Sequence, residues 1–352
     1  MKPFVYTGLP ARVIFGAGSL AQLPAELDRL GARRALVLST PEQSATVKQV
    51  SVILGSRAAG TYDKAAMHVP VEVAQDARRV AAELGADCCV TVGGGSTTGL
   101  GKAIALTSTL PILAVPTTYA GSEMTPIYGL TEGGMKKTGR DVRVLPKTVI
   151  YDPQLTLSLP PALSASSGMN AIAHCVEALY AQDANPITSL MAEEGIRTLA
   201  ASLPLVVTEP GNVDAHADAL YGAWLAGACL GNVGMALHHK LCHTLGGTYN
   251  LPHAETHAVV LPHAVHYNNE AAPQAMRRIS HALEGTAPAA GLFDLAKVLG
   301  TPLALRDLGL PQSALDEAAR LATLNPYYNP RPVEQAAIRK LLQDAWEGRR
   351  PG

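Results

Sequence analysis

Short apolar runs alternate with amphipathic stretches over the first 150 residues. The runs with strand-like composition are Arg12–Phe15, Arg34–Leu38, Ala58–Tyr62, Cys88–Val92 and Pro111–Val115. Between them, stretches such as Ser44–Leu54 and Val71–Leu84 repeat apolar residues with helical spacing. Continuous apolar strands that alternate with helices are typical of a parallel sheet covered on both faces. We therefore predict an α/β fold for this part of the chain.

The pattern changes after Thr117. Thr125–Leu130 and Val142–Tyr151 indicate two strands joined by a turn rich in Gly and Lys, as a hairpin or an extension at the sheet edge. From Leu155 onward nearly every pattern is helical, and the last helix is expected over Pro332–Trp346. The prediction is an N-terminal α/β domain over residues 1–155 and an all-helical C-terminal domain over residues 156–352.

Composition narrows the class of protein. A length of 352 residues favours two cores, and the 47% hydrophobic content fits a well-buried globular chain. The net charge of -1 gives no reason to expect nucleic acid or an anionic membrane as a partner. No apolar run long enough to cross a bilayer or clear signal peptide is visible, and the five cysteines include no C-x-x-C pair. We expect a cytoplasmic protein.

A glycine-rich turn follows the strand Cys88–Val92. Gly94, Gly95 and Ser96 stand where that strand is predicted to turn into a helix. Glycine lets backbone N–H groups approach a pyrophosphate, and a helix N-terminus favours negative charge. Thr117 and Thr118 end the next strand and should lie at the same sheet edge, which favours nucleotide binding over a plain turn. A GxGxxG fingerprint is absent.

Ser39 and Thr40 follow the strand Arg34–Leu38. In dinucleotide-binding folds a carboxylate near this place binds the ribose 2′-hydroxyl and rejects a 2′-phosphate. Neutral hydroxyls neither bind the 2′-hydroxyl strongly nor reject a 2′-phosphate strongly. The hypothesis is a cofactor site that accepts NADH or NADPH.

Seven of the eleven histidines fall in the 29 residues from His238 to His266. The pairs His239/His243 and His253/His257 are each four residues apart, so each pair shares one helix face if both segments are helical. A turn is expected at Gly246–Gly247, and Pro252 suits the start of a second helix. Single histidines can be structural, but the cluster as a whole predicts a site, because buried imidazoles are costly without partners.

Asn170 and His174 lie one helical turn apart in the first long helix of the predicted second domain. Together with His239 and His253 they form four groups of the kind that bind a divalent metal, except that an Asp would be expected at position 170. A neutral carboxamide is a poor ligand for a transition metal, and no charge remains at that position to balance the ion.

These residues carry a resemblance. The segment SGMNAIAHCVEA, the GGGS turn, PTT, DPQLTLSLP, the histidine-rich stretch and the late NPR resemble the iron-containing alcohol dehydrogenase superfamily, and the whole chain is similar to its maleylacetate reductases. The resemblance implies a dehydroquinate synthase-like architecture, with the active site in the cleft between a dinucleotide-binding domain and a helical domain. It also implies a cytoplasmic homodimer and aromatic-compound catabolism. The superfamily's metal ligands would fall on positions 170, 174, 239 and 253, and His243 would match a further active-site histidine.

Three departures from the superfamily pattern bear on the metal. Asn170 replaces the metal-binding Asp, Gly99 stands where GGGSxxDxxK members carry Asp, and the PTTYAGSE loop is one residue shorter than PTTAGTGSE. All three resemble the maleylacetate reductase branch. The expectation at this stage is that no metal is needed.

The activity implied by the resemblance is NAD(P)H-dependent reduction of the C=C bond of 2-maleylacetate to 3-oxoadipate. During hydride transfer to the small dicarboxylate enone substrate, negative charge develops on the ketone oxygen. Hydrogen-bond donors of the protein can stabilise that charge without a metal. We expect His243 and His239 to act as electrophile and proton donor, His174 and His253 to complete the pocket, and Asn170 to orient an imidazole or the substrate.

Cations must also meet the two carboxylates of such a substrate. The candidates by position are Lys240, Arg277, Arg278 and Arg331, and Lys136 and Lys137 in the predicted hairpin turn are further candidates for contact with the cofactor or the substrate. Two other functions stay open, namely a metal-dependent alcohol or polyol dehydrogenase of the same superfamily, and a non-redox lyase or synthase on the same fold.

Overall fold

A computed structural model describes residues 4–9, 11–133 and 135–352, without the side chains of Met135 and Lys136. The chain groups into two compact units. One is Leu9–Leu159, and the other is Pro160–Gly352 together with the N-terminal residues up to Gly8. The predicted limit after residue 155 falls in a short 3-10 turn, Pro153–Thr156. As limits of functional domains, 1–155 and 156–352 stay a prediction.

The first unit contains a six-stranded sheet with the order β1-β8-β5-β4-β2-β3. Each neighbouring pair of strands in it is parallel. A separate antiparallel pair is formed by β6 and β7. The strands are β1 (Arg12–Phe15), β2 (Ala35–Leu38), β3 (Ala58–Tyr62), β4 (Cys88–Gly93), β5 (Ile112–Pro116), β6 (Ile127–Glu132), β7 (Met135–Arg140) and β8 (Thr148–Tyr151). The predicted parallel α/β fold is confirmed.

Helices cover both faces of the parallel sheet. They are α1 (Leu23–Arg29), α2 (Ser44–Leu54), α3 (Val71–Glu83) and α4 (Gly95–Thr107). Successive side chains of a strand point to opposite faces. Val37 of β2 accordingly packs in one core with Leu23 and Val47, whereas Leu36 packs in the other with Ala77. Because each face of β2 lies in one of these two cores, β2 is apolar at every position.

The predicted hairpin of Thr125–Leu130 with Val142–Tyr151 is wrong. The hairpin pairs β6 with β7, so the Gly/Lys-rich segment is itself a strand. Gly133, at a φ of 56°, belongs to the turn. The second predicted strand instead supplies β8, which is buried throughout and lies between β1 and β5. Composition misled the prediction because Lys and Gly favour turns only on average.

The named elements of the second unit are all helical, as predicted. The α-helices are α5 (Pro161–Tyr180), α6 (Pro186–Thr208), α7 (Val213–Asn232), α8 (Leu237–Tyr249), α9 (His253–Asn268), α10 (Pro273–Ala282), α11 (Pro288–Val298), α12 (Leu315–Thr323) and α13 (Gln335–Glu347). No single helix in the described chain is long and apolar enough to span a bilayer. The pair α7 and α8, bent by 92°, passes that test together by length and composition.

The turn between the two histidine-bearing helices differs from the prediction. Helix α8 runs through Gly246 and Gly247, and Asn250 ends it in the left-handed region at a φ of 54°. Glycine inside a helix costs only about 1 kcal/mol, and Asn tolerates the left-handed conformation. Pro252 is the N-cap of α9, and His253 is its first residue. The short connection places the start of α9 close to α8.

Candidate active site

The glycine-rich turn lies where β4 passes into α4. Gly93 has a φ of 145°, Gly94 is the N-cap and Gly95 is the first residue of the helix. A Cβ added at Gly94 would lie 2.9 Å from the Thr118 hydroxyl oxygen. The close approach of the Thr118 loop therefore requires glycine at position 94. An unblocked helix N-terminus of this kind attracts anions.

The structure brings the other predicted cofactor residues to the same sheet edge. Thr117 and Thr118 follow β5, whose Pro116 is the register partner of Gly93, and the Thr117 N–H donates to the Gly93 carbonyl. Ser96 lies in the first turn of α4 and is partly exposed. Ligands of open α/β sheets bind at the carboxyl ends of the strands. This edge can accept a dinucleotide phosphate.

Ser39 and Thr40 end β2, the strand next to β4. Ser39 is buried, and its hydroxyl has no partner among the described residues. Thr40 hydrogen-bonds to Glu42, and this bond lowers the pKa of that exposed carboxyl. Glu42 is a carboxylate near the predicted ribose site that the sequence analysis did not count.

Gly99 in α4 has a steric reason to be glycine. A Cβ at this position would lie 2.7 Å from Cγ2 of Val69. Val69 itself has a φ of 49°, in the left-handed region. The Asp that other superfamily members carry here would therefore collide with Val69.

The histidine cluster is built by α5, α8 and α9. Ring centroids lie 5.0 Å apart for His174 and His239, and 4.9 Å apart for His239 and His257. The two pairs expected from the four-residue spacing also lie together, with centroids 6.0 Å apart for His239/His243 and 4.3 Å apart for His253/His257. His239 thus contacts imidazoles from all three helices.

Several buried polar atoms of the cluster have no hydrogen-bond partner among the described residues. They are Oδ1 of Asn170, Nδ1 of His174, Nε2 of His239, and both ring nitrogens of His257. Each such atom costs about 1–3 kcal/mol unless something binds it. The group of atoms is therefore the candidate ligand-binding site of the second unit.

Glu177 is a candidate site residue that the sequence analysis missed. It is fully buried on α5, three residues after His174, and its Oε2 lies 2.8 Å from Nδ1 of His239. The N–H groups of Ala236 and His238 also donate to this carboxylate, each at 2.7 Å. The sequence carried a clue, because residues three apart share a helix face.

Tyr327 was also missed. Its hydroxyl lies 3.0 Å from Nδ1 of His243, although 84 residues separate them. Tyr327 stands in an irregular segment after α12, so no periodicity connected it to the cluster.

Burial controls the protonation of the cluster. It lowers the pKa values of His174, His239 and His257 well below the ordinary range, and neighbouring imidazoles add to the effect. The pKa of His238 falls to about 4 for the same reasons. Burial raises the pKa of Glu177, while His238 and the backbone N–H groups oppose that shift. The buried imidazoles are neutral at pH 7 and can act as ligands or hydrogen-bond partners.

The candidate cations for substrate carboxylates have different surroundings. The Nζ of Lys240 lies 5.8 Å from the ring centroid of Tyr327, beside the cluster. Arg331 stacks on Tyr267 at 4.2 Å, and Arg278 forms an ion pair with Glu193. Arg277 lines a surface cavity with Arg278. Tyr327, the residue that Lys240 contacts, is also the partner of His243.

The two hairpin lysines differ in what the structure records. Lys137 forms an ion pair with Glu132 at 2.7 Å. The side chain of Lys136 lies outside the described part of the chain.

Comparisons with known proteins cover both units. A model of iron-containing alcohol dehydrogenase matches residues 10–153, and a model of the C-terminal part of the Fe-containing alcohol dehydrogenase family matches residues 164–346. The chain is 60% identical over 351 residues to maleylacetate reductase from Burkholderia cepacia, covering 100% of both. It is 55% identical to the crystal structure of maleylacetate reductase from Agrobacterium tumefaciens, covering 100% of both, with a TM-score of 0.97. An iron-containing alcohol dehydrogenase structure from Corynebacterium glutamicum is 44% identical, with a TM-score of 0.96 and coverage of 100% of this chain and 99% of that chain.

The expectation that no metal takes part is wrong. The matching family models and the Corynebacterium glutamicum structure are those of iron-containing enzymes, which implies a metal cofactor. The histidine cluster fits a metal ion, because ring nitrogens of His238, His239 and His257 all lie within 4.8 Å of one another. The expectation was wrong because it looked for a negative charge to balance the metal only at position 170, where the neutral Asn170 stands. Glu177 supplies a negative charge directly behind His239, as carboxylates often do behind metal-binding histidines.

Proposed function

The chain belongs to the iron-containing alcohol dehydrogenase family, and from that premise we infer that it acts as a maleylacetate reductase. It is an oxidoreductase that reduces the C=C bond of 2-maleylacetate to give 3-oxoadipate. The observation that carries this conclusion is the buried imidazole cluster of α5, α8 and α9 in a chain that matches maleylacetate reductases from end to end.

The electrons come from NADH or NADPH bound in the first unit. We assign the pyrophosphate to the N-terminus of α4, at Gly94, Gly95 and Ser96, with Thr117 and Thr118 beside it. The closeness of Gly94 to Thr118 supports this, since a backbone without a Cβ can approach phosphate oxygens. The ribose is expected near Ser39 and Thr40, one strand away.

The reaction requires charge stabilisation at one atom and a proton at another. Hydride from the nicotinamide adds to the carbon β to the ketone, and negative charge develops on the ketone oxygen. A proton then adds to the α carbon. Donors placed at the developing charge lower the barrier because they need little reorganisation during the reaction. A bound divalent metal would supply Lewis-acid polarisation of the same oxygen.

We assign the proton donation to His243. It is the cluster histidine whose Nδ1 contacts a hydroxyl, that of Tyr327, and it lies on the exposed side of α8 where substrate can reach it. His239, His174 and His253 form the polar pocket, and His238, His239 and His257 would hold the metal.

Asn170 stands one helical turn before His174, and its buried carboxamide oxygen is available to orient a ligand or an imidazole. Lys240 is the cation that we assign to a substrate carboxylate. It is adjacent to His239 in the chain, and its ammonium lies over the Tyr327 ring.

The cellular setting is part of the proposal. The five cysteines are all buried and free, which fits a reducing cytoplasm. A net charge of -1 does not favour nucleic acid or an anionic membrane as a partner. The proposed assembly is a homodimer. Light scattering on the purified protein would test this, and a mass near that of one chain would refute it.

A metal-dependent alcohol dehydrogenase is the second candidate. The 44% identity to the Corynebacterium glutamicum protein and the imidazole cluster both favour it. A substrate panel with each cofactor separates the two functions. We expect fast NADH or NADPH oxidation with maleylacetate and slow turnover of simple aldehydes, whereas the reverse ranking would favour the alcohol dehydrogenase. A cofactor preference beyond roughly a thousandfold in KM would contradict the neutral ribose site at Ser39 and Thr40.

A further inference from the structure

The carboxylate of Glu177 lies at the centre of a closed hydrogen-bond network. Its Oε1 accepts the N–H of His238, and its Oε2 accepts the N–H of Ala236. Both donors belong to the N-terminal end of α8, where the helix dipole also favours a negative charge. Oε2 further contacts Nδ1 of His239 at 2.8 Å.

These contacts determine where His239 carries its proton. Backbone N–H groups can only donate, so both oxygens of Glu177 act as acceptors. As a carboxylate, Glu177 has no proton to donate, so the remaining contact is donated by the imidazole, which requires the proton on Nδ1 of His239. His238 fits the same network. Its Nε2 lies 3.0 Å from the His257 carbonyl, which can only accept, so its Nδ1 has a lone pair toward Nδ1 of His239 at 3.4 Å.

We propose that Glu177 is a positioning residue that keeps the proton of His239 on Nδ1, so that Nε2 presents a lone pair to the interior of the cluster. Nε2 of His239 is buried, and no described residue hydrogen-bonds to it. With this tautomer, His239 serves as a ligand or hydrogen-bond acceptor. It is therefore not the proton donor of the reaction, and the donor role falls to His243 alone.

The substitution Glu177→Gln tests the network because it exchanges one accepting oxygen for a donating NH₂ group. Whichever oxygen is replaced, a donor then faces a backbone N–H, and a donor at the Oε2 position also faces Nδ1 of His239. An amide NH₂ at the Oε2 position would donate to Nδ1 of His239, so the expected result is that part of the His239 population carries its proton on Nε2. Glu177→Asp keeps both acceptors and should restore much of the original arrangement.

The decisive measurement is long-range ¹H–¹⁵N correlation NMR on the full-length, ¹⁵N-histidine-labelled protein after removal of bound metal, because a metal ion on Nε2 would itself force the proton onto Nδ1. His239→Ala identifies the signals. The wild type should show His239 protonated on Nδ1 alone, and Glu177→Gln should show a second population protonated on Nε2. A wild-type His239 protonated on Nε2 would overturn the proposal. The wild-type spectrum tests the proposal even if Glu177→Gln does not fold, or if maleylacetate is not the substrate.

Kinetics provide the second readout, and this part rests on the proposed function. In Glu177→Gln, kcat with maleylacetate should fall about 10–100-fold, the range typical of losing a group behind a metal-site histidine, with an unchanged KM for NADH. Glu177→Asp should recover most of the loss. The matched control is Glu26→Gln, since Glu26 is also buried and bound to Arg12 and Thr148, but in the first unit. Equal kcat in Glu177→Gln and wild type, with an unchanged tautomer, would overturn the proposal.

Discussion

The hydroxyl of Tyr327 and Nδ1 of His243 lie 3.0 Å apart, joining the segment after α12 to helix α8. Burial and the charge of Glu177 raise the pKa of Tyr327, so its hydroxyl keeps its proton at pH 7. A protonated hydroxyl can donate to Nδ1, which leaves the proton of His243 on Nε2. His243 is thereby prepared to donate that proton to substrate.

Removal of either partner should slow proton transfer. His243→Ala is expected to reduce kcat by about 10²–10⁴, the range for loss of a general acid. Tyr327→Phe should reduce kcat less, by about tenfold, because the imidazole remains but loses its orienting bond. Tyr328→Phe is the matched control, because Tyr328 is the next residue in the chain, is exposed, and loses the same hydroxyl group. Steady-state kinetics with maleylacetate measure all three. A loss below tenfold in His243→Ala would remove His243 from the mechanism.

The glycine turn gives a prediction for cofactor binding. Gly94→Ala would place a Cβ 2.9 Å from the Thr118 hydroxyl, so the two loops must separate. We expect the KM for NADH to rise at least about tenfold, since phosphate contacts depend on positions within about 0.5 Å. Gly211→Ala is the control, because its added Cβ meets no atom within 4 Å. An unchanged KM in Gly94→Ala would show that the cofactor phosphates bind elsewhere.

Metal binding should depend on the imidazole cluster. Equilibrium dialysis against Fe²⁺ or Zn²⁺, followed by elemental analysis, is expected to find bound metal in the wild type and much less in His239→Ala. His281→Ala serves as the control, because His281 is exposed on α10. The fit of the cluster to a metal would be refuted by a wild type that binds none, or by a His239→Ala variant that binds as much.

His263 predicts a pH dependence of stability. Burial, with His266 nearby, lowers the pKa of His263 to about 4, against about 6.5 in an unfolded chain. As the pH falls below 6.5, the unfolded protein takes up this proton first, so stability is lost. The loss from this residue between pH 7 and pH 5 should be about 2 kcal/mol.

Urea denaturation at the two pH values tests this. His263→Leu should make the free energy of unfolding less pH-dependent by roughly that amount, because leucine cannot take up a proton. His281→Gln, which changes an exposed histidine on α10, should leave the dependence as in the wild type. Parallel pH curves for His263→Leu and wild type would contradict the assignment.

The parallel sheet could be predicted from sequence because its central strands, such as β2, β4 and β5, are buried on both faces and therefore mostly apolar. Val37 and Leu36 belong to different cores, yet both are required to be apolar. The hairpin could not be predicted in the same way. Its second strand is polar and rich in Lys and Gly, so its pairing with β6 leaves no hydrophobic pattern along the chain.

The histidine pairs of the site were predictable from local spacing, because a helix brings residues four apart onto one face. The partners that give those histidines their roles come from distant parts of the chain. Glu177 is 62 residues from His239, and Tyr327 is 84 residues from His243. Without Glu177 the cluster lacked a negative charge, and this omission led to the wrong expectation about the metal.

The most direct test of the central claim follows the transferred hydride. Maleylacetate is incubated with NADH deuterated at the transferable position, and NADH loss is followed at 340 nm while NMR and mass spectrometry locate the deuterium. The account predicts NADH consumption and 3-oxoadipate with one deuterium on the carbon β to the ketone. A hydroxy acid with deuterium on its carbinol carbon, or no consumption of NADH or NADPH, would contradict it.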